Sequence, residues 1–137
     1  MEDTNRYSET KTPMRFALAI ETLFSVVSLS SIAYLLFIVP MSAIQSPGVL
    51  MVMVYITLAA LGVFYIPGFI INLILYQRIH KKGIPPKKAR RVFNWHLVYA
   101  IINLLVLNAL LGALYLITYA KGSKAVERRV ESVYHRY

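Results

Sequence analysis

Two long stretches of this chain contain no charged residue, and they limit the fold more than any other feature of the sequence. No Asp, Glu, Lys or Arg occurs in the 56 residues from Thr22 to Gln77 or in the 29 residues from Val92 to Ala120. An uncharged apolar run of about 18 residues or more is typical of a membrane-spanning helix, because an unpaired charge at bilayer depth costs several kcal/mol. Across the chain 58% of residues are hydrophobic and 15% are charged, where soluble domains carry about 25% charged residues. The sequence therefore predicts an all-α integral membrane protein and argues against a soluble globular, disordered or nucleic-acid-binding chain.

The first uncharged stretch is long enough for two crossings and too short for three, since each crossing needs about 20 residues. Pro40 and the turn-forming Ser46-Pro47-Gly48 divide it. Pro67 and Gly68 mark a kink within the second crossing, because proline removes a backbone donor and clashes with the preceding turn. We predict a three-transmembrane-helix bundle with helices near 14–40, 48–82 and 86–120.

The long second and third helices are predicted to form a hairpin with a basic cytoplasmic turn. The same division gives a polar N-terminal tail at 1–12, a transmembrane domain at 13–122 and a basic C-terminal tail at 123–137. Apolar residues at helical spacing in the last segment are typical of a short amphipathic helix lying in the interface. A solvated tail is the alternative.

The net charge is +9, and seven of the fifteen cations cluster around the predicted turn. These are Arg78, Lys81, Lys82, Lys87, Lys88, Arg90 and Arg91. Cations beside a transmembrane helix favour the cytoplasmic side and attract anionic headgroups. We therefore expect this patch to contact anionic lipid or an acidic partner surface, with the N-terminus also cytoplasmic. That orientation puts ten cations inside and leaves five in a C-terminal tail on the opposite side.

Polar residues within the predicted helices form stripes at i, i+3 and i+4 spacing. We predict that these stripes meet in one intramembrane cluster. The favoured interpretation is structural, with interhelical hydrogen bonds joining the helices. The alternative is functional, with Glu21 binding a proton or cation and His96 as a titratable partner. The predicted members are Glu21, Ser25, Ser28, Asn72, His96, Tyr99 and Asn103.

A second polar position on the third helix, Asn108, must also find a partner because burying an unsatisfied amide is costly. Ala109 and Ala113, with Gly112 beside them, form a small-residue pair that permits close helix packing. These four residues therefore predict a helix-packing face, either within the bundle or towards a neighbouring subunit.

The sequence offers few groups for catalysis. It contains no cysteine, and we find no metal-ligand spacing, haem ligand pair, phosphate loop or nucleophile motif. We therefore expect no enzymatic activity, no metal and no cofactor. The predicted function is a membrane subunit that assembles, stabilises or regulates a larger membrane complex, with other subunits or further copies of itself as partners.

The alternative is a small homo-oligomeric channel, transporter or pore that uses Glu21 as its ion or proton site. A glutamate in the first helix is similar to that of the small multidrug-resistance transporters, although those have four compact helices. Three helices with basic tails also resemble phage holins in composition, which implies a holin-like pore.

Overall fold

A computed structural model describes residues 7–38, 48–106 and 108–134. Within these ranges the chain forms helices and connecting turns and no strand. The predicted end of the first helix at residue 40, most of the turn at 46–48, residues 1–6 and the last three residues lie outside the described residues. The helices are α1 (Ser8–Ala33), α2 (Val49–Gln77), α3 (Pro86–Leu105) and α4 (Ala109–Tyr134), and π-helical turns at Tyr34–Ile38 and Arg78–Lys82 extend α1 and α2.

The first two helices, with their π-helical turns, are long and apolar enough to cross a membrane. The segments that meet this condition by length and composition are Ser8–Phe37 and Val49–Lys82. The second coincides with the helix predicted at 48–82, and it continues through Pro67 without interruption. It ends at Gly83, whose φ of +63° lies in the left-handed region that favours glycine.

The chain divides into two compact units. The first unit contains Met1–Leu18 and Asn72–Tyr137, and the second contains Ala19–Ile71. In the second unit α1 and α2 run antiparallel, with aromatic stacking at two levels: Phe24 on Tyr65 at 5.0 Å and Tyr34 on Tyr55 at 4.1 Å between ring centroids.

Between these two stacks the helices approach closely. A Cβ added at Gly62 would lie 2.8 Å from Ser28 Cβ, where ordinary contacts are 3.4–4 Å. Glycine at this position therefore sets the distance between α1 and α2.

The continuous third helix predicted at 86–120 is not present, because one helix ends at Leu105 and the next begins at Ala109 and runs back along it. Helices α3 and α4 form an antiparallel hairpin, with 2.9 Å between Asn108 N and the Asn103 carbonyl at the turn. Asn108 is the N-cap of α4, since its side-chain oxygen accepts a hydrogen bond from Leu111 N at 3.3 Å. Asn108 was predicted to lie inside the third helix on a packing face. It instead caps the start of a separate helix, α4.

One buried face on α3 and one on α4 pack against each other and hold the hairpin together. The buried positions repeat at three- and four-residue intervals, the spacing that turns one face of each helix towards its neighbour. The repeating positions are Ala89, Phe93, His96, Ala100 and Asn103 on α3, and Leu111, Tyr115, Thr118, Gly122 and Val126 on α4, and Tyr99 and Gly112 beside them are also buried.

The apolar core of the first unit draws on all four helical segments. Its buried members are Tyr7, Met14, Ile79, Ala89, Phe93 and Val126. Two predictions about the tails are therefore corrected. Residues 8–12 are part of α1, and Thr10 is fully buried. Residues 123–134 continue α4 and do not form a separate tail, and Val126 packs into the core; an interfacial position of this segment stays a prediction.

Candidate functional site

The cations are confined to one of the two units. All fifteen Lys and Arg residues fall within the ranges of the first unit, whereas Glu21 is the one charged residue in the range of the second. Because the hairpin turns back at 106–108, the cations of α4 return to the end of the unit where α3 begins. The basic C-terminal segment therefore lies at the same end of the unit as the 78–91 turn, and the side of the membrane on which it lies stays a prediction.

Contacts made by Arg129 show this return directly. Its Nη1 lies 3.1 Å from the Tyr7 hydroxyl and 3.5 Å from the Ile84 carbonyl, and donates to both. The guanidinium carbon also lies 5.7 Å from the centroid of the Tyr7 ring, within cation–π range. A residue near the C-terminus thus joins the start of α1 to the turn between α2 and α3.

Further polar contacts join the same segments. Arg15 Nε donates to the Tyr76 hydroxyl at 2.9 Å, and His80 Nε2 lies 3.5 Å from Thr10 Oγ1. Arg128 Nη1 lies 3.8 Å from Glu9 Oε1, but both side chains are more than half exposed, so solvent weakens this ion pair.

Arg129 also lines two adjoining pockets at this end. The first, about 210 Å³, lies among Tyr7, Lys82, Gly83, Ile84, Pro85 and Arg129. The second, about 470 Å³, shares Pro85 and Arg129 and is further lined by Pro86, Lys87, Arg90, Val126 and Val130. No acidic side chain is among the described residues that line either pocket. These pockets form the candidate functional site, which we call the basic pocket.

The basic patch predicted from the sequence therefore separates into two groups. Lys82, Lys87 and Arg90 line the basic pocket. The other four, Arg78, Lys81, Lys88 and Arg91, line neither of its two parts. All seven cations are exposed, so only their position relative to the pocket separates the two groups. Tyr7 and Arg129 were not predicted as site residues, because their contribution depends on the reversal of the chain.

Several predicted intramembrane polar residues lie inside the first unit, where a series of aromatic contacts connects them. Trp95 Nε1 donates to Asn72 Oδ1 at 3.1 Å, and Trp95 stacks on Tyr99 at 5.9 Å between ring centroids. Tyr115 of α4 packs edge-on against Tyr99 at 5.1 Å and parallel to His96 at 5.4 Å. Tyr115 is fully buried and was missed, because the sequence analysis did not place α4 against α3.

His96 and Asn103 occupy the seam of the hairpin and are fully buried. Asn103 Nδ2 donates to the carbonyl of Tyr99, one turn earlier in α3, at 2.8 Å. Among the described residues, neither ring nitrogen of His96 has a hydrogen-bond partner. Ring contacts therefore hold this imidazole in place.

The polar stripe of α1 lies in the second unit and is buried there. Glu21 is 0% exposed, Ser28 is 2% exposed and Ser25 is 6% exposed. Ser31 continues this face, and its hydroxyl donates to the Val27 carbonyl at 2.8 Å. The single cluster that would unite Glu21 with His96 stays a prediction.

The predicted packing face at 108–113 is split by the reversal of the chain. Gly112 lies against α3, since a Cβ there would be 2.6 Å from Leu104 Cγ and 3.2 Å from the Ala100 carbonyl oxygen. Ala109 and Ala113 are exposed. Gly112 therefore permits the close approach of the two arms of the hairpin.

The described residues contain no group of three or more His, Cys, Asp or Glu side chains that could hold a metal ion. In comparisons with known proteins, no family model, curated protein or solved structure matches this chain.

Proposed function

We propose that this chain is a non-enzymatic integral membrane subunit that assembles, stabilises or regulates a larger membrane complex. In this proposal α1 and α2 cross the bilayer, and the α3–α4 hairpin enters it from the cytoplasmic side and returns. The main support for this topology is the contact of Arg129 with Tyr7 and Ile84. This contact puts the cations of α4 at the same end of the first unit as the cations of the 78–91 turn.

The length of the hairpin supports a partial crossing. The 14 uncharged residues from Val92 to Leu105 span about 21 Å at 1.5 Å per residue, where the hydrocarbon core is about 30 Å thick. Backbone bends at membrane depth need internal hydrogen bonds. The bend has them at Val106 N, Asn108 N and Leu111 N.

The charge distribution supports the same arrangement. A third full crossing would divide the fifteen cations ten to five across the membrane. A re-entrant hairpin puts all fifteen on one side, which agrees with the positive-inside tendency.

A role within a larger assembly is supported by the surface of α2. Only 11% of its most apolar segment is buried. Large side chains such as Val63, Ile70 and Ile74 are exposed. In a membrane, lipid or helices of another chain would cover this surface, and close packing against other helices is how subunits associate there.

The topology is testable with single cysteines, because the chain has no natural one. Lys81→Cys, Lys124→Cys and Gly48→Cys would be labelled with a membrane-impermeant maleimide in sealed, oriented vesicles. We expect the first two to be labelled from the same side and the third from the opposite side. Labelling of Lys124→Cys together with Gly48→Cys would show a third full crossing and contradict the proposal.

The subunit role is tested by the native mass of the complex after gentle extraction from its own membrane. We expect other chains in fixed stoichiometry. Recovery as a monomer with bound lipid would contradict that role. A homo-oligomer alone would favour the second candidate function.

The second candidate is a homo-oligomeric channel or transporter, and the burial of Glu21 on a serine-rich face favours it. The test is pH- or cation-dependent flux into liposomes containing the purified chain. Glu21→Gln should abolish flux, whereas Ser31→Ala on the same face should preserve it. Equal flux in the wild type and Glu21→Gln would exclude Glu21 as the ion site.

A further inference from the structure

We propose that the basic pocket is a binding site for the phosphate headgroup of an anionic phospholipid. This inference rests on the membrane location in the proposed function and is independent of partner subunits. It assigns a defined site, including Arg129 and Tyr7, where the sequence indicated a general basic patch.

The smaller part of the pocket provides a preorganised cationic end. Lys82 and Arg129 line it, and Arg129 is held by the Tyr7 hydroxyl and the Ile84 carbonyl. A guanidinium whose position is already fixed loses less side-chain entropy when it binds an anion. Phosphate oxygens accept charge-assisted hydrogen bonds from both guanidinium and ammonium groups.

The N-terminus of α3 adds positive potential at the same place. Pro85 is the N-cap and Pro86 the first helical residue, and both line the larger part of the pocket with Lys87. Proline has no N–H, so this terminus contributes its dipole and its lysine rather than a row of backbone donors. Side chains must therefore supply most of the contacts with phosphate.

Apolar and acidic neighbours define the orientation of the ligand. Val126 and Val130 give the larger part of the pocket an apolar wall suited to the glycerol and upper acyl carbons. A third pocket shares Arg90, Val126 and Val130 with the larger part and is also lined by Glu127 and Glu131, which disfavour a phosphate there. The anion is thus directed to the end lined by Lys82 and Arg129.

A membrane source fits the position of the site in the chain. Lys82 is the last residue of the apolar segment Val49–Lys82, so the pocket begins where that segment ends. Cations at the end of a transmembrane helix lie at headgroup depth. A lipid at this depth presents its phosphate and apolar groups together, whereas free phosphate leaves the apolar wall unused.

The test compares two variants that lose the same charge from neighbouring positions. Lys82→Gln with Arg90→Gln removes two lining cations. Lys81→Gln with Arg91→Gln removes two exposed cations that do not line the basic pocket. The purified full chain in phosphatidylcholine nanodiscs would be titrated with phosphatidylglycerol, and bound lipid would be measured by native mass spectrometry. Fluorescence of the single tryptophan, Trp95, checks that each variant is folded.

We expect the lining pair to weaken binding of phosphatidylglycerol at least tenfold relative to the control pair, and the charge-preserving pair Lys82→Arg with Arg90→Lys to retain most of it. Equal losses in the lining and control pairs would overturn the proposal, because diffuse attraction of headgroups depends on charge near the surface and not on its exact position. Displacement of the lipid by millimolar inorganic phosphate would overturn the assignment to lipid. If the lining pair does not fold, the single variants Lys82→Gln and Lys81→Gln replace the two pairs, and equal loss of binding in these two variants would overturn the proposal.

These results are separable from the subunit role. Lipid binding is measured on the purified chain alone, and partner chains are measured on the native membrane. Failure to detect partner chains would therefore not affect the interpretation of lipid binding, and failure to detect lipid binding would not affect the interpretation of partner chains.

Discussion

The contact between Gly122 and Phe93 predicts a strong effect for a small substitution. A Cβ added at Gly122 would lie 2.5 Å from Phe93 Cγ, where ordinary contacts begin at 3.4 Å. The aromatic ring would thus have to move by at least about 0.9 Å, and it cannot do so by rotating a flexible end. Overpacking of this kind costs about 1–3 kcal/mol, whereas replacing glycine with alanine in a helix stabilises by about 1 kcal/mol.

We therefore expect Gly122→Ala to lower the free energy of unfolding by up to about 2 kcal/mol, because the clash outweighs the gain in helix propensity. Reversible unfolding of the purified chain by SDS in mild detergent, followed by Trp95 fluorescence, measures this change. Gly48→Ala is the control, since a Cβ there meets nothing within 4 Å. Gly48 directly precedes α2 at the N-cap position, where glycine is preferred over alanine, so this control should cost up to about 1 kcal/mol and should show no coupling to Phe93.

A double-mutant cycle identifies the cause. Phe93→Leu removes the ring, so it should make Gly122→Ala less harmful, with a coupling energy of about 1 kcal/mol or more. Stabilisation by Gly122→Ala, or independence of the two substitutions, would refute the packing of α4 on α3 described above.

Three further outcomes are expected in the same unfolding assay. Asn108→Ala should destabilise the chain by about 1 kcal/mol through loss of the α4 cap, while Asn108→Ser should cost little; equal effects would argue against capping. Asn72→Leu should cost about 1–3 kcal/mol and shift Trp95 emission, because it leaves the indole N–H without its acceptor; unchanged emission would contradict that bond. Glu9→Gln should change stability by less than about 1 kcal/mol, because its ion pair with Arg128 is exposed; a larger loss would show stronger coupling.

The sequence predicts the second helix well because strong signals mark its end. Gly83 adopts the left-handed conformation that glycine favours, and two prolines prevent the helix from continuing. The turn between α3 and α4 contains neither glycine nor proline. Its one local signal is Asn108, and the uncharged run around it is equally compatible with a single crossing. The fold at this point depends on packing between residues distant in sequence, such as Gly122 and Phe93.

The candidate site, like the fold, was predictable only in the part that depends on residues close together in the sequence. Lys82, Lys87 and Arg90 belong to a cluster of cations visible in the sequence. Tyr7 and Arg129 complete the pocket from opposite ends of the chain, and no local pattern links them. The spacing of Val126 was recognisable as one face of a helix, but the surface it covers depends on the reversal at 106–108.

The contact between Tyr7 and Arg129 also has a consequence for biosynthesis. These residues are 122 positions apart, so the core of the first unit can close only after the chain has been made as far as α4. Contacts between α1 and α2, such as Phe24 with Tyr65, need a much shorter length of chain. During synthesis the helical pair of the second unit can therefore form while the start of α1 still lacks its neighbours on α4. A chain that ended before α4 would leave Tyr7, Met14 and Ile79 without the contacts that α4 makes with this core. Protein quality control recognises exposed apolar side chains of this kind.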